Sequence, residues 1–424
     1  MDPNRRDVLR LAGAVAVVAA CGDNSPTKAP DASSGTAIFE TSESGFLVSA
    51  WSLYAKSASI EVNDQVIEAT FVNAQAVAQI TGLAPSTAYT VNVLLDDGTL
   101  TTHAVHTAPS VDDPRPITIA VSADLDPQSS EFESDIFEQI IKMQPEVFVA
   151  IGDVPYCDNG PAVPVTLPAY RDVHGLLRTS KHTRPWFQAM GVHAIYDDHE
   201  FRNDWDAMRV SDEPDRYAAA MAAWDEFFPI APTPSGDGVR YRSFRWGANC
   251  ECFVLDCRRW RSPNAQIDDA DKTMLGAAQK AWFTAAIAAS TATFKLIFTS
   301  VPLDYGVGVD HWAGFTHERE EILGAIAAAG ITGVLFLSGD QHYFAAYSHS
   351  HGIREFQVGP LMRGIGPYGP SPAGVMFRDG RFNFGLIDIT PDSLRMRGIG
   401  PGGDVFYDET LTIAELTPVQ NVPG

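Results

Sequence analysis

The sequence predicts an α/β fold preceded by a small all-β sandwich, and three features of the chain lead there. Residues 37–108 carry short stretches of alternating apolar and polar residues bounded by turn signals. From residue 117 onward, apolar runs alternate with amphipathic helical stretches, the pattern of a sheet covered by helices. Four of those apolar runs end alike: "IAVSAD" at Asp124, "FVAIGD" at Asp153, "HAIYDD" at Asp198 and "LFLSGD" at Asp340.

At 424 residues the chain is long enough for a large core plus a second module. Its net charge of −23 argues against a nucleic-acid-binding surface and against unaided adhesion to anionic lipid, since both need basic surface. An acidic chain can still hold phosphate where cations supply local positive charge.

The N-terminus reads as an export signal (residues 1–21). Arg5 and Arg6 precede the apolar run "LAGAVAVVAA", which leads into "VAAC", and Cys21 stands where a bacterial lipoprotein carries its lipid. This predicts an exported protein, periplasmic or at the cell surface, touching membrane only through a lipid anchor at Cys21. No other apolar run approaches a span. Residues 22–36, "GDNSPTKAPDASSGT", read as a tether. In residues 37–108 the runs "GFLVSAWSL", "ASIEVN", "AVAQITGL", "AYTVNVLL" and "THAVHT" read as strands. The turn "GLAPSTAYTV" is similar to the corner of a fibronectin type III sandwich, with Tyr89 as the corner tyrosine. A linker, 109–116, leads into the α/β domain, 117–420.

In that domain "ITIAVSADLD" precedes a helical stretch, "EFESDIFEQIIKM", and is followed by "EVFVAIGDVPY", a long insertion and "GVHAIYDDHEFRND". "ECFVLDCRRW", a helix, "FKLIFTSVPL", a second helix and "GVLFLSGDQH" follow, and an alternating tail closes the sheet. Cys157, Cys250, Cys252 and Cys257 match no zinc pattern and read as buried thiols, Cys252 and Cys257 being too close along one strand to bridge easily.

Ligands of open α/β sheets bind outside the carboxyl ends of the strands. Four aspartates brought to one sheet edge would repel each other unless cations lay between them. Tyr156, His199, Asn203 and His342 add oxygen and nitrogen donors nearby, and such a set suits hard or borderline cations. One carboxylate bridging two metals would hold them roughly 3.5–4 Å apart, the spacing of phosphoryl-transfer sites. Asp126 and Asp197 read as turn or supporting carboxylates. His311 and His317 flank "WAGF" and read as structural.

"GDVPY", "DDHEFRNDW" and "SGDQH" resemble the signature blocks of the alkaline phosphatase D family, one of the calcineurin-like metallophosphatases. "LDCRRWR", "MLGAAQKAWF" and "DHWAGFTHEREEIL" extend the likeness, which covers nearly the whole exported chain. The resemblance implies a two-sheet metallophosphatase sandwich flanked by helices. It implies Asp153 as the bridging carboxylate, Tyr156 and His342 on one metal, Asp340 and Asn203 on the other, with Asp198 a ligand or a support. His199 takes the place of the catalytic histidine beside the leaving oxygen. The implied cofactors are two or more metal ions, iron paired with calcium.

One departure stands out. The family places Ser-Cys at the end of the first strand, where this chain reads "VSADLD", making Asp124 the replacement ligand. A carboxylate for a thiolate weakens the case for iron and leaves room for manganese or zinc. The implied activity is hydrolysis of phosphate mono- or diesters, with a metal-held water or hydroxide attacking phosphorus. Arg202, Arg258 and Arg261 are candidates to bind the small phosphate-ester substrate, a surface or ion-paired role being the more ordinary reading of each, and the protein reads as a monomer. A non-catalytic metal- or ligand-binding surface lipoprotein is the alternative.

Overall fold

The computed structural model describes residues 32–129, 134–160, 162–232, 236, 238–306 and 308–420. The export signal, Cys21 and most of the segment read as a tether lie outside them. The chain's centre is two sheets packed face to face. One has nine strands, in the order Val405–Thr412, Ser393–Ile399, Phe384–Ile389, Ile117–Ser122, Val147–Ile151, Gly191–Ile195, Ser34–Phe39, Phe46–Ser52 and Gln75–Ile80. The other has seven, running from Arg242–Trp246 through Cys250–Val254, Phe294–Phe298, Val334–Ser338, Arg354–Gln357 and Phe344–Ser348 to Val375–Asp379.

The apolar runs of the sequence become the inner strands because both their faces are covered. Val147–Ile151, Gly191–Ile195, Phe294–Phe298 and Val334–Ser338 are buried at every position, as continuous apolar runs in a parallel sheet must be. Val121, Val149, Leu296 and Leu337 meet in one core between the sheets. Helices Ile136–Met143, Leu167–Thr179, Thr183–Ala189 and Pro214–Phe227 cover the outside of the first sheet through Phe137, Tyr170, Trp186 and Trp224. Gly276–Ala289 and Thr316–Ala328 cover the second through Phe283, Ile322 and Ile326. The alternating tail forms three antiparallel strands beside Ile117–Ser122.

Within each sheet the site-bearing strands run parallel: 117–122 beside 147–151 beside 191–195, and 250–254 beside 294–298 beside 334–338. Their carboxyl ends therefore share one edge.

The N-terminal strands are fused into this architecture. Ser34–Phe39 takes in residues 34–36, which composition alone reads as tether, and pairs with Gly191–Ile195 through Phe39 and Val192. It carries Phe46–Ser52 and Gln75–Ile80 into the nine-stranded sheet. The other half of the sandwich is a separate four-stranded sheet, Gln65–Thr70, Ser57–Val62, Ala88–Leu95 and Leu100–His106. The two halves enclose Val48, Ile60, Val91 and Val93, and Tyr89 Oη accepts from the Ala84 N–H at 2.9 Å. All four cysteines within the described residues are buried free thiols, with Cys250 and Cys252 sulfurs 3.7 Å apart. No helix among the described residues is long and apolar enough to cross a membrane.

Candidate metal centre

Three of the four strand ends turn sharply where their acids stand. Asp124, Asp153, Asp340 and His342 have φ of 60°, 56°, 73° and 56°, the left-handed region that Asp and His enter more readily than most L-residues. Such conformations persist where their surroundings hold them in place and cluster at functional sites. Here the Asp124 N–H donates to Gly152 O at 3.3 Å, the Leu125 N–H to Asp153 O at 2.8 Å and the Tyr156 N–H to Leu125 O at 3.0 Å. Glu200 ties the second strand end to the third, its two oxygens accepting from the N–H groups of Val154 and Asp197 at 2.7 and 3.0 Å. Gly152, at φ 109°, has no room for a side chain: a Cβ there would lie 2.6 Å from Asp197 Cβ.

These turns bring the acids together across both sheets. Among the described residues, four groups each offer ligand atoms within 4.8 Å of one another: Asp124, Asp153 and His342; Asp153, Asp198 and His199; Asp197, Asp198 and Asp340; Asp198, Asp204 and Asp310. Asp153 is common to two of them and Asp198 to three. The Asp340 N–H donates to Asp124 Oδ1 at 3.2 Å and the His199 N–H to Asp153 Oδ1 at 3.0 Å. The opposite oxygens, Asp124 Oδ2, Asp153 Oδ2 and also Asp198 Oδ1, are buried without a hydrogen-bond partner among the described residues. Burial first, and then the charges of neighbouring carboxylates, push Asp124, Asp153 and Asp340 well above the usual carboxylate range. Orphaned buried oxygens that cannot all ionise together are what cation ligands look like without their cations. With the Nε2 of His342 and the phenol of Tyr156 beside them, the donor set fits two or more hard or borderline cations.

Tyr156 is buried, its Oη 2.5 Å from His342 Nε2, and its ring stacks on His199 at 3.9 Å. Burial, followed by the charges of Asp153 and Asp124, drives the phenol further up, so ionising it needs a cation alongside. His342 Nδ1 lies 2.7 Å from Gly364 O, an N–H···O contact that leaves Nε2 as the ligand nitrogen. His199 Nδ1 meets Asp158 Oδ1 at 2.6 Å. Burial pulls the His199 imidazolium down, but Asp198 and the hydrogen-bonded Asp158 outweigh it and raise its pKa to about 9.

The three candidate arginines are engaged in ion pairs. Arg258 is wholly buried; it grips Asp197 at 2.7 and 2.8 Å, meets Asp310 at 2.7 Å and lies 3.6 Å from Asp198. A guanidinium committed to three carboxylates has no free face for substrate. Arg202 pairs with Glu213, and Arg261 with Asp310 at 2.8 Å. Asp197 is therefore a buried ionic support, which also accepts from the Ser300 hydroxyl at 2.5 Å. Asn203 is exposed, its backbone N–H donating to Asp158 Oδ2 at 2.7 Å. Asp126 holds its own loop through the Gln128 N–H at 2.9 Å and the Asn159 amide at 2.5 Å. His311 is buried against Tyr305 and His317 is exposed. Asp158, Glu200, Asp204 and Asp310 complete the centre and carried no signal of their own, since none ends an apolar run.

The family model of the PhoD-like phosphatase matches residues 130–368. Alkaline phosphatase D of Bacillus subtilis (strain 168) is 26% identical over 207 residues, which cover 42% of this chain and 35% of that protein. The match thus spans about a third of the curated relative. Among solved structures, PhoD superposes with a TM-score of 0.78 at 18% identity, over 89% of this chain and 88% of that one. A purple acid phosphatase, PPD1 from yellow lupin (Lupinus luteus) seeds, gives 0.68 at 12% identity over 92% and 76%. The two structures share the fold, and the family match takes in three of the four strand-end acids together with Tyr156, His199 and His342: this chain belongs to the PhoD-like phosphatase family.

Proposed function

We propose that the chain is a metal-dependent phosphoesterase acting on phosphate mono- or diesters. The observation that carries this reading is the set of buried, unpartnered carboxylate oxygens on Asp124, Asp153 and Asp198 at one shared sheet edge. Asp124, Asp153, Tyr156, Asp198, Asp340 and His342 would hold the cations, with Asn203 at the rim. Iron and calcium follow from the family likeness, and the carboxylate at Asp124 accommodates manganese or zinc as well. When bound, the cations supply positive charge to the phosphoryl oxygens and acidify the attacking water. His199 would donate a proton from Nε2 to the departing ester oxygen, with Asp158 on Nδ1 fixing the ring.

Two further readings attach to the N-terminus. The twin arginines and Cys21 support export and lipid anchoring. The paired three- and four-stranded halves and the Tyr89 corner support a fibronectin type III-like sandwich.

Hydrolysis of p-nitrophenyl phosphate and bis-p-nitrophenyl phosphate by the purified full chain tests the activity. Turnover should vanish on chelation and return with added metal, and elemental analysis should give at least two ions per chain. Failure of the metal-replete protein to turn over either ester would overturn the reading.

A further inference from the structure

A phosphoryl group held by cations still benefits from a planar N–H donor, and the arginines suggested by sequence are engaged elsewhere. We propose that Arg363 binds the phosphoryl oxygens of the substrate, an inference that rests on the phosphoesterase reading. The segment bearing it is stitched to both sides of the centre. The Leu361 and Met362 N–H groups donate to Ala123 O and Asp124 O at 2.9 and 3.2 Å. On the far side, Gly364 O receives His342 Nδ1, and the Gly366 N–H donates to His342 O at 3.0 Å. Arg363 lies between these anchors, its guanidinium carbon 4.8 Å from the centroid of the Tyr156 ring.

The guanidinium faces that ring and no carboxylate. Among the described residues it makes no ion pair and no hydrogen bond, and its Nε is buried without an acceptor. Arg258, Arg261 and Arg202 all spend their charge on aspartate or glutamate. A cation left unpaired beside a site built for further cations is unfavourable by itself and becomes favourable once an anion enters. A cleft of about 350 Å³, lined by Tyr305, Asp340, Gln341, His342, Gly366 and Tyr368, opens on two of the proposed ligand residues and on the Gly366 anchor of this segment.

The test uses metal-loaded full chain carrying Arg363→Ala or Arg363→Lys. Arg363→Ala should raise KM for bis-p-nitrophenyl phosphate and weaken inhibition by inorganic phosphate, each by roughly 10- to 100-fold. Metal content and thermal midpoint should match wild type, Arg363→Lys should recover part of the loss, and added guanidinium ion should partly rescue Arg363→Ala. Wild-type KM and phosphate inhibition in Arg363→Ala would overturn the proposal. So would a loss accompanied by missing metal and immune to guanidinium. Should Arg363→Ala not fold, the same two constants in Arg363→Lys decide. Should wild type turn over neither ester, calorimetric titration with phosphate separates the two ideas. Binding weakened by Arg363→Ala keeps the anion site without the activity, whereas equal or absent binding ends both.

Discussion

His199 and Asp153 sit 3.0 Å apart through a backbone N–H, yet their replacement should fail in different ways. His199→Ala should retain bound metal and lower kcat by roughly 10²–10⁴-fold, as loss of a general acid does. Asp153→Ala should lose both metal and turnover, because two of the four donor groups share it. Elemental analysis alongside steady-state rates separates these outcomes. Arg258→Met should leave Asp197 without its cationic partner in the interior, while Arg261 still pairs Asp310, costing about 3–5 kcal/mol in urea unfolding. At this scale the sequence shows acids that end apolar runs, because a charge abutting a buried strand demands an explanation. It leaves Arg258 open between phosphate contact and ion pair, and it hides Arg363 and Asp158. Their meaning comes only from partners such as Tyr156 and His199, distant in the chain.

The elements themselves were largely visible, because runs such as Val147–Ile151 are apolar at every position and cannot face water on either side. What patterning does not carry is the backbone turn at Asp124, Asp153 and Asp340. Gly359 shows its importance: at φ 97°, its Cβ would lie 2.5 Å from Asp124 Oδ2, one of the unpartnered oxygens. Gly359→Ala should therefore destabilise the fold by about 1–3 kcal/mol and weaken metal retention under dialysis. The effect should exceed that of Gly402→Ala, where the space around the added methyl is open although φ is also positive. Equal metal retention in the two variants would count against crowding at Asp124 as the cause.

Pairing between distant strands is invisible to local pattern, so the junction of the N-terminal sandwich with the main sheet could not be read from sequence. His103 marks that junction. Its Nε2 lies 2.7 Å from the Thr36 hydroxyl and its Nδ1 3.1 Å from Phe187 O. Nearby, the buried Arg178 guanidinium is ringed by Phe39, Phe187 and Phe227, one N–H donating to Phe227 O at 2.5 Å. Burial, only partly opposed by the Phe187 carbonyl, lowers the His103 pKa to about 4. The folded protein thus takes up its proton later than the unfolded chain does. Stability from this group is intact above pH 6.5 and falls as pH drops toward 4, by about 3 kcal/mol. Urea midpoints should show that slope in wild type and lack this share of it in His103→Gln. By contrast, Arg242 and His193 overcome the burial of Glu40 and lower its pKa to about 2, so its contribution fades only below about pH 4.5. A protease cut within 109–116 should leave two pieces that co-elute in gel filtration, because Ser34–Phe39 stays clamped between Gly191–Ile195 and Phe46–Ser52. A sandwich welded to the body in this way has no swivel at its base. With lipid on Cys21, as proposed, the distance from bilayer to cleft would be governed by the stretch ahead of Ser34, whose contour is at most roughly 45 Å. Esters lying close to that surface would then come within reach, while those farther out would have to diffuse inward.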